Sequence, residues 1–563
     1  MEKRLLVAFL LMGAILFLTP YFYRTFVPQT PARPVTPVKT SQPAPVKPPE
    51  PAEVKAPSAA VPAAAVSAQK EELAIIETDV YRVTFSNRGA TVRSWQLKKY
   101  KDNTGKPLEL VSATGAAGTA YPFSLVFEKQ APADLNQALY SMRVSPGRDS
   151  IEFEYSDGAV SSRKSFRFQK SSYRSQFLSE VTEKGRRVAH LVSWRGGFGD
   201  SSVANASGSQ RTVYYDAAAG DLVINDAGAA EDGPVTATGH FSFAGLEDLY
   251  FAAVFLPGNG APLQIRTTSD KVAVAPDNKE EMRVGVAVGG EAGNQYGLFV
   301  GPKDLDLLES IDPRLGQLVD FGKWFGFLAR PLFLALNWLN DNFVHNYGWS
   351  IVVVTIIINF ALLPLKLTSM KSMKRMQSLQ PQIQAINAKY KGIGLRDPRK
   401  AQQNQEVMEL YKKHGINPMG GCLPMVLQIP FFIAFYNVLT IAIEMRGASW
   451  LWVSDLSQPE TLPIRILPIA MIIAQFAQQK MTPSPSADPN QQRMMLMMPL
   501  VFGFMFYSVS SGLVLYWLTS NLVGIAQQWF INRSLPAAAP AQVPARQEAP
   551  APVRRKRVSG GRR

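Results

Sequence analysis

The stretch from Asn417 to Tyr436, NPMGGCLPMVLQIPFFIAFY, constrains the chain more than any other. It is apolar enough to sit in lipid. Yet it carries Pro418, Pro424 and Pro430, the Gly420-Gly421 pair and one polar Gln428. Proline removes a backbone donor and glycine weakens a helix, so a soluble core helix rarely carries both. In a membrane, neighbouring helices and water repair such breaks. A polar amide at membrane depth is costly and points to function. The alternative is an irregular helix whose Gln428 only bonds a neighbouring helix.

At 563 residues the chain exceeds one ordinary domain. Its 59 Lys and Arg outnumber 44 acidic residues, giving +15. That balance suits contact with anionic lipid or nucleic acid but says nothing of fold. The single Cys422 excludes an internal disulfide, and His190, His240, His345 and His414 show no metal-ligand spacing. No metal and no cofactor are expected.

Polar and apolar residues segregate strongly along the chain. Lys3 and Arg4 precede an apolar run that ends in bulky Thr19-Pro20-Tyr21-Phe22-Tyr23. A cleavage site needs small side chains, so residues 1–26 are expected to be an uncleaved transmembrane anchor, with a cleaved signal as the alternative. Residues 27–70 are rich in Pro and Ala and form an extended spacer. Across 71–312 the pattern has period two. Tyr81, Val83 and Phe85 alternate with polar residues, as do Phe123, Leu125 and Phe127, and Ile151, Phe153 and Tyr155. Short alternating strands between Gly, Asn and Asp clusters predict an antiparallel β-sandwich. Residues 313–346 are aromatic, with Leu318, Phe321, Phe325 and Leu328 at helical spacing. They predict an amphipathic helix in the membrane interface, or one buried against the β-domain.

The remainder divides into apolar spans at 347–366, 417–443, 464–479, 494–509 and 512–531. The segment 367–416 between the first two is basic, with two helical apolar stripes that predict an antiparallel hairpin. The tail, 532–563, ends in Arg554, Arg555, Lys556, Arg557, Arg562 and Arg563, a candidate contact for ribosomal RNA or lipid. Placing basic loops in the cytoplasm gives six spans with both termini inside and the β-domain outside. At about 1.5 Å per residue, Asn359 lies roughly 10 Å from the inner end of its span and Gln428 roughly 15 Å. Gln475, Gln478, Gln527 and Gln528 fall nearer still to that side. Amides that merely joined helices would scatter through the depth. Their bias predicts a water-accessible groove open to the cytoplasm, in which an Asn359→Arg substitution is tolerated.

GGCLPMVLQIPFFIAFYNVL, from Gly420 to Leu439, resembles the third transmembrane helix of the YidC/Oxa/Alb insertase family. Lys480 to Gln528 is similar to that family's fifth and sixth helices with the loop before them. Trp349 to Ile386 resembles its second helix and the start of a cytoplasmic hairpin. A large β-domain after the first span matches the Gram-negative type. The resemblance implies a membrane protein insertase and chaperone in the bacterial inner membrane, not a chemical catalyst. It implies a periplasmic supersandwich, an anchor plus a five-helix core, and a hydrophilic groove that receives the polar part of a substrate. The candidate groove comprises Thr355, Asn359, Gln428, Gln475, Gln478, Tyr516, Trp517 and Asn521. Implied partners are nascent membrane proteins, membrane lipids, the ribosome, signal-recognition components and the Sec translocon, with the chain itself a monomer. In one respect the chain departs from the family, which usually places an arginine where this sequence has Asn359. Lys366 lies two turns further along and is expected at the interface.

Two rivals come from other classes. A transporter or channel with a β-domain receptor would show an inverted repeat, and none is visible. A sugar-active enzyme on an anchor leaves five spans without purpose. Deleting the β-domain discriminates, because an insertase core would keep working.

Overall fold

Strands form where apolar side chains alternate, and helices where they recur every three to four residues. In the computed structural model both patterns appear, over residues 65–202, 209–258, 262–274, 279–290, 294–322, 324–390, 397–416, 423–481 and 489–534. The expected anchor, the basic cluster Arg554 to Arg563, and Pro418, Gly420, Gly421 and Cys422 lie outside the described residues. The described residues fall into two units. One is β-rich and lies within Ala56–Leu334 and Tyr436–Ala448; the other is helical and lies within Ala335–Phe435 and Ser449–Arg563.

In the β-rich unit the described strands make three sheets. Leu73–Glu77, Tyr81–Ser86, Thr91–Lys101 and Pro107–Glu109 form a four-stranded meander. A ten-stranded sheet has Phe251–Pro257, Asn294–Pro302, Arg174–Glu183 and Val160–Phe168 as consecutive neighbours. A five-stranded sheet is centred on Lys279–Gly290. Every strand pairing is antiparallel, as the period-two pattern requires. Tyr81, Val83 and Phe85 are fully buried, and so are Ile151, Phe153 and Phe166. Rings of Phe85, Phe123, Phe166, Phe177, Trp95 and Trp194 pack edge to face, tilted or, for Trp95 on Phe123, stacked.

Residues 65–70, expected as spacer, already join this unit: Val66 bridges to Ser156. The expected helix through 313–346 is corrected more substantially. Pro313–Leu318 is a short 3-10 turn whose Leu315 and Leu318 are buried. Gly322 then adopts φ +87°, which a helix excludes, and Asn437 donates to the Phe321 carbonyl at 3.0 Å. The helix, α1, begins only at Gly326 and runs to Leu339. Phe327 and Trp338 are its exposed aromatics, and Trp324 is exposed just before it. The apparent stripe through Leu318, Phe321, Phe325 and Leu328 therefore spans two elements.

His190 sits among these strands at 4% exposure. Its Nδ1 donates to the Val188 carbonyl at 2.9 Å and its Nε2 accepts from Ser179 at 2.9 Å, a neutral ring with both nitrogens satisfied. Burial, assisted by the charge of Lys164, pushes its pKa from 6.5 to about 4. The unfolded chain therefore takes up the proton first as pH falls. The stabilisation is complete above pH 6.5 and is lost between there and about pH 4, to the extent of roughly 3 kcal/mol. Urea unfolding followed through Trp95 and Trp194 should show this loss, and it should shrink in His190→Asn. An equal acid loss in that variant would rule out His190 as the source.

The helical unit contains α2 (Tyr347–Ala361), α3 (Leu363–Ser378), α4 (Gln380–Lys389), α5 (Arg399–Lys413), α6 (Leu423–Ile441), α7 (Ile466–Met481), α8 (Pro489–Phe506) and α9 (Ser511–Ser534). No single described helix is long and apolar enough to cross a membrane. Gly326–Val344 and Tyr347–Ala361 pass together, but with a 116° bend between them. That bend falls at His345, in the left-handed region at φ 52°, and at the N-cap Asn346, whose side chain accepts from Trp349 N. The expected span 347–366 is likewise two helices, because Pro364 restarts the chain as α3. Pro430 and Pro499 sit inside α6 and α8. Helices α4 and α5 pack together through Ile383, Tyr411, Val407 and Leu410. Glu406 joins them by accepting from Tyr390 at 2.7 Å and from Lys389 at 3.3 Å.

Candidate functional site

Helix α9 carries the site, because it packs against both α2 and α7. Along it, Tyr516, Ser520 and Gln527 share one face, and Trp517, Asn521, Gly524 and Gln528 share the adjacent one. Aromatic residues come first and amides follow, so the helix is segregated along its length.

The first face joins four helices. Gln428 on α6 donates to Ser520 Oγ at 3.0 Å and to the Tyr516 hydroxyl at 3.3 Å. Asn359 on α2 donates to the same Ser520 Oγ at 3.4 Å and to the Thr355 carbonyl at 2.8 Å. Lys366 on α3 reaches back, its Nζ donating to Asn359 Oδ1 at 2.6 Å and to Gln527 Oε1 at 3.4 Å. Gln527 in turn donates to the Asn359 carbonyl at 3.2 Å. Among the described residues no carboxylate pairs with Lys366. The result is one ammonium held by two side-chain amide oxygens.

The second face joins α9 to α7. Gln475 Oε1 accepts from Trp517 Nε1 at 2.7 Å and from Asn521 at 3.3 Å. Gly524 leaves the room that the Gln478 amide occupies, and any Cβ there would collide with it. Trp517 also meets Phe432 and Phe506, each at 5.0 Å between centroids, while Tyr516 stacks on Phe435 at 4.0 Å.

The eight candidate residues are thus gathered on and around α9, but not all in the expected way. Thr355 is fully buried and its hydroxyl donates to the Ile351 carbonyl at 2.6 Å, so it offers nothing to a ligand. Asn359 is 3% exposed and lies beneath Lys366 instead of on an open wall. Amides and an ammonium solvate one another there, which lowers the cost of burial. Tyr516 belongs to the polar chain through its hydroxyl as well as to the aromatic end. Lys366 is turned inward instead of towards an interface. Ser520, the shared acceptor, was not among the candidates. Its spacing of four from Tyr516 and seven from Gln527 is the only signal that marks it.

A curated protein of Syntrophus aciditrophicus (strain SB), named membrane protein insertase YidC, is 35% identical over 571 residues, covering 95% of this chain and all of that one. One of the same name in Geotalea daltonii is 36% identical over 560 residues, with the same coverage. The chain belongs to the YidC family of membrane protein insertases. Two family models agree: one described as 60Kd inner membrane protein matches 338–538, and one described as YidC periplasmic domain matches 74–335. A crystal structure titled as an active YidC insertase with its first transmembrane domain resolved is 18% identical and covers 82% of this chain, with a TM-score of 0.36. The membership rests on the sequence relatives, not on that superposition. The family's proteins are inner-membrane insertases with a periplasmic domain, so the β-rich unit is that domain and the sugar-enzyme reading falls away.

Proposed function

We propose that this chain inserts nascent membrane proteins by receiving their polar flank at the Lys366, Asn359, Ser520 and Gln428 chain. The apolar segment then leaves along neighbouring helices into lipid. The observation that carries the reading is the Lys366 ammonium, 2.6 Å from Asn359 Oδ1 with no carboxylate beside it among the described residues. A charge at the centre of a bilayer costs about 2.5–3.5 kcal/mol on the insertion scale. Amides that replace part of its hydration lower that cost, and an acidic flank would lower it further. The charge that the family usually carries at position 359 is thereby carried at 366.

In this reading the chain spans the inner membrane six times with both termini cytoplasmic. The segment 367–416 forms a cytoplasmic hairpin, and the β-domain is periplasmic. The basic residues Arg554 to Arg563 contact the ribosome or anionic lipid, and signal-recognition components and the Sec translocon are further partners of a monomer. Charge clustering in these segments supports the assignment. The test uses proteoliposomes holding the purified chain and a single-span substrate with an acidic flank. Protease protection of that flank should depend on the chain. Equal protection in protein-free liposomes would refute the proposal.

Replacing Gln428 by Leu removes two donors without leaving a cavity. Thermal stability in detergent should fall by only about 1–2 kcal/mol. Insertion of substrates with polar flanks should drop several-fold, while a substrate with an apolar flank is unaffected. A uniform loss across substrates would make Gln428 purely structural.

A further inference from the structure

The β-rich unit contains an open cleft of 530 Å³ that the insertion site does not use. Ligand sites typically enclose about 300–1,000 Å³. Its floor is a patch of the ten-stranded sheet where Arg174–Glu183 pairs with Asn294–Pro302, with Gln176 opposite Gly297 and Leu178 opposite Gln295. Alternate residues of a strand share a face, so Arg174, Gln176, Gln295 and Gly297 all lie on the exposed side. Gly297 gives the floor its depth, since a Cβ there would press on Leu256 at 3.3 Å. One wall is the turn bearing Asp312 and Arg314.

The charges in this cleft do not cancel. Asp312 is the one carboxylate among its described lining residues, and the Arg314 guanidinium engages it three times, at 2.6, 2.8 and 3.2 Å. Arg314 also donates to Ser242 Oγ at 2.5 Å. Arg174 is left as an exposed guanidinium with no side-chain partner among the described residues, and the amides of Gln176 and Gln295 are equally unengaged. A guanidinium fork matches a carboxylate, and a carboxamide offers both the donor and the acceptor that a peptide group needs. The carbocyclic rings that line the cleft, Phe241 and Tyr296, are 6% and 4% exposed, and the one exposed ring among its described lining residues is the imidazole of His240.

We propose that this cleft binds a short acidic polypeptide segment, with Arg174 taking a carboxylate and Gln176 and Gln295 taking backbone amides. The site is independent of the Lys366 chain and stands or falls without it.

The test uses the full chain in phosphatidylcholine nanodiscs. The probe is a fluorescein-labelled octapeptide of alternating Asp and Ser, with the Lys and Ser counterpart as control. Only the acidic peptide should bind saturably, and more weakly as salt rises. Arg174→Gln should weaken it about tenfold, and Gln176→Ala with Gln295→Ala should weaken it several-fold. Arg186→Gln, an exposed arginine elsewhere, should leave it unchanged. Arg174 is exposed, so the variant's unfolding should match the parent's. The proposal is overturned if Arg174→Gln binds like the parent, if binding is lost with Lys366→Gln, or if trigalacturonate displaces the probe at lower concentration than unlabelled peptide.

Discussion

A Lys366→Glu variant should insert an acidic-flanked substrate about a hundredfold more slowly than the parent, while a neutral-flanked substrate changes less than about threefold. Opposite charges 4 Å apart near a protein surface attract by about 4 kcal/mol, and reversal converts attraction into repulsion. The fold should persist, because the Asn359 and Gln527 amides can turn their NH2 groups towards the new carboxylate. Lys366→Gln should cost about tenfold and Lys366→Arg little. The expectation that Asn359→Arg is tolerated is revised by the same geometry. A guanidinium at 359 would face the Lys366 ammonium, so the single variant should be impaired. Adding Lys366→Gln should restore activity, with the charge now carried at 359. Equal loss for both substrates in Lys366→Glu, or no rescue in the double variant, would remove Lys366 from the mechanism. The readout is the initial rate of protease protection in proteoliposomes.

The second large effect concerns stability. Lys164 is fully buried in the β-rich unit, and its Nζ donates to the carbonyls of Gly89 and Phe123 at 2.7 Å and of Ala90 at 3.3 Å. Gly89, Ala90 and Phe123 all have positive φ, at 68°, 49° and 70°. Two of them are not glycine, so their conformations are strained and need a lock. Burial pushes the lysine pKa down to about 7, while three accepting carbonyls favour its charged form. Lys164→Met keeps the length of the side chain and removes all three donors. Each orphaned buried carbonyl costs about 1–3 kcal/mol, so a loss of about 4 kcal/mol or more is expected. Urea unfolding followed through Trp95 and Trp194 measures it, because both rings pack on Phe123. A loss below about 1 kcal/mol would show that the carbonyls find other partners.

Lys164 also shows where sequence reasoning stops. Period-two runs such as Tyr81 to Phe85 and Ile151 to Tyr155 marked strands because the side-chain period is local. Nothing local announces that a lysine in Val160–Phe168 will bind carbonyls 41 to 75 residues away. The division into three sheets depends on equally distant pairings. In the helical unit the polar residues were visible because amides are rare in apolar runs. Their partners were not, since Lys366 is polar on either side of an interface and only α9 decides which way it turns. The break at Leu362 and Pro364 is marked by the proline, yet it falls inside the expected span 347–366. The start of α1 was obscured by Phe321 and Phe325, whose helical spacing survives although Gly322 interrupts the helix.

The central claim is that the polar chain around α9 receives the hydrophilic flank of a substrate. A photo-crosslinking amino acid at position 428 addresses it, with ribosome-bound nascent chains of increasing length. Controls sit at Phe504, 88% exposed on α8, and at Ile473, 64% exposed on α7. The account predicts that position 428 crosslinks to the polar flank in short chains, and that position 504 crosslinks to the apolar segment in longer ones. Crosslinking at 428 no stronger than at 473, or confined to the apolar segment at every length, would contradict it.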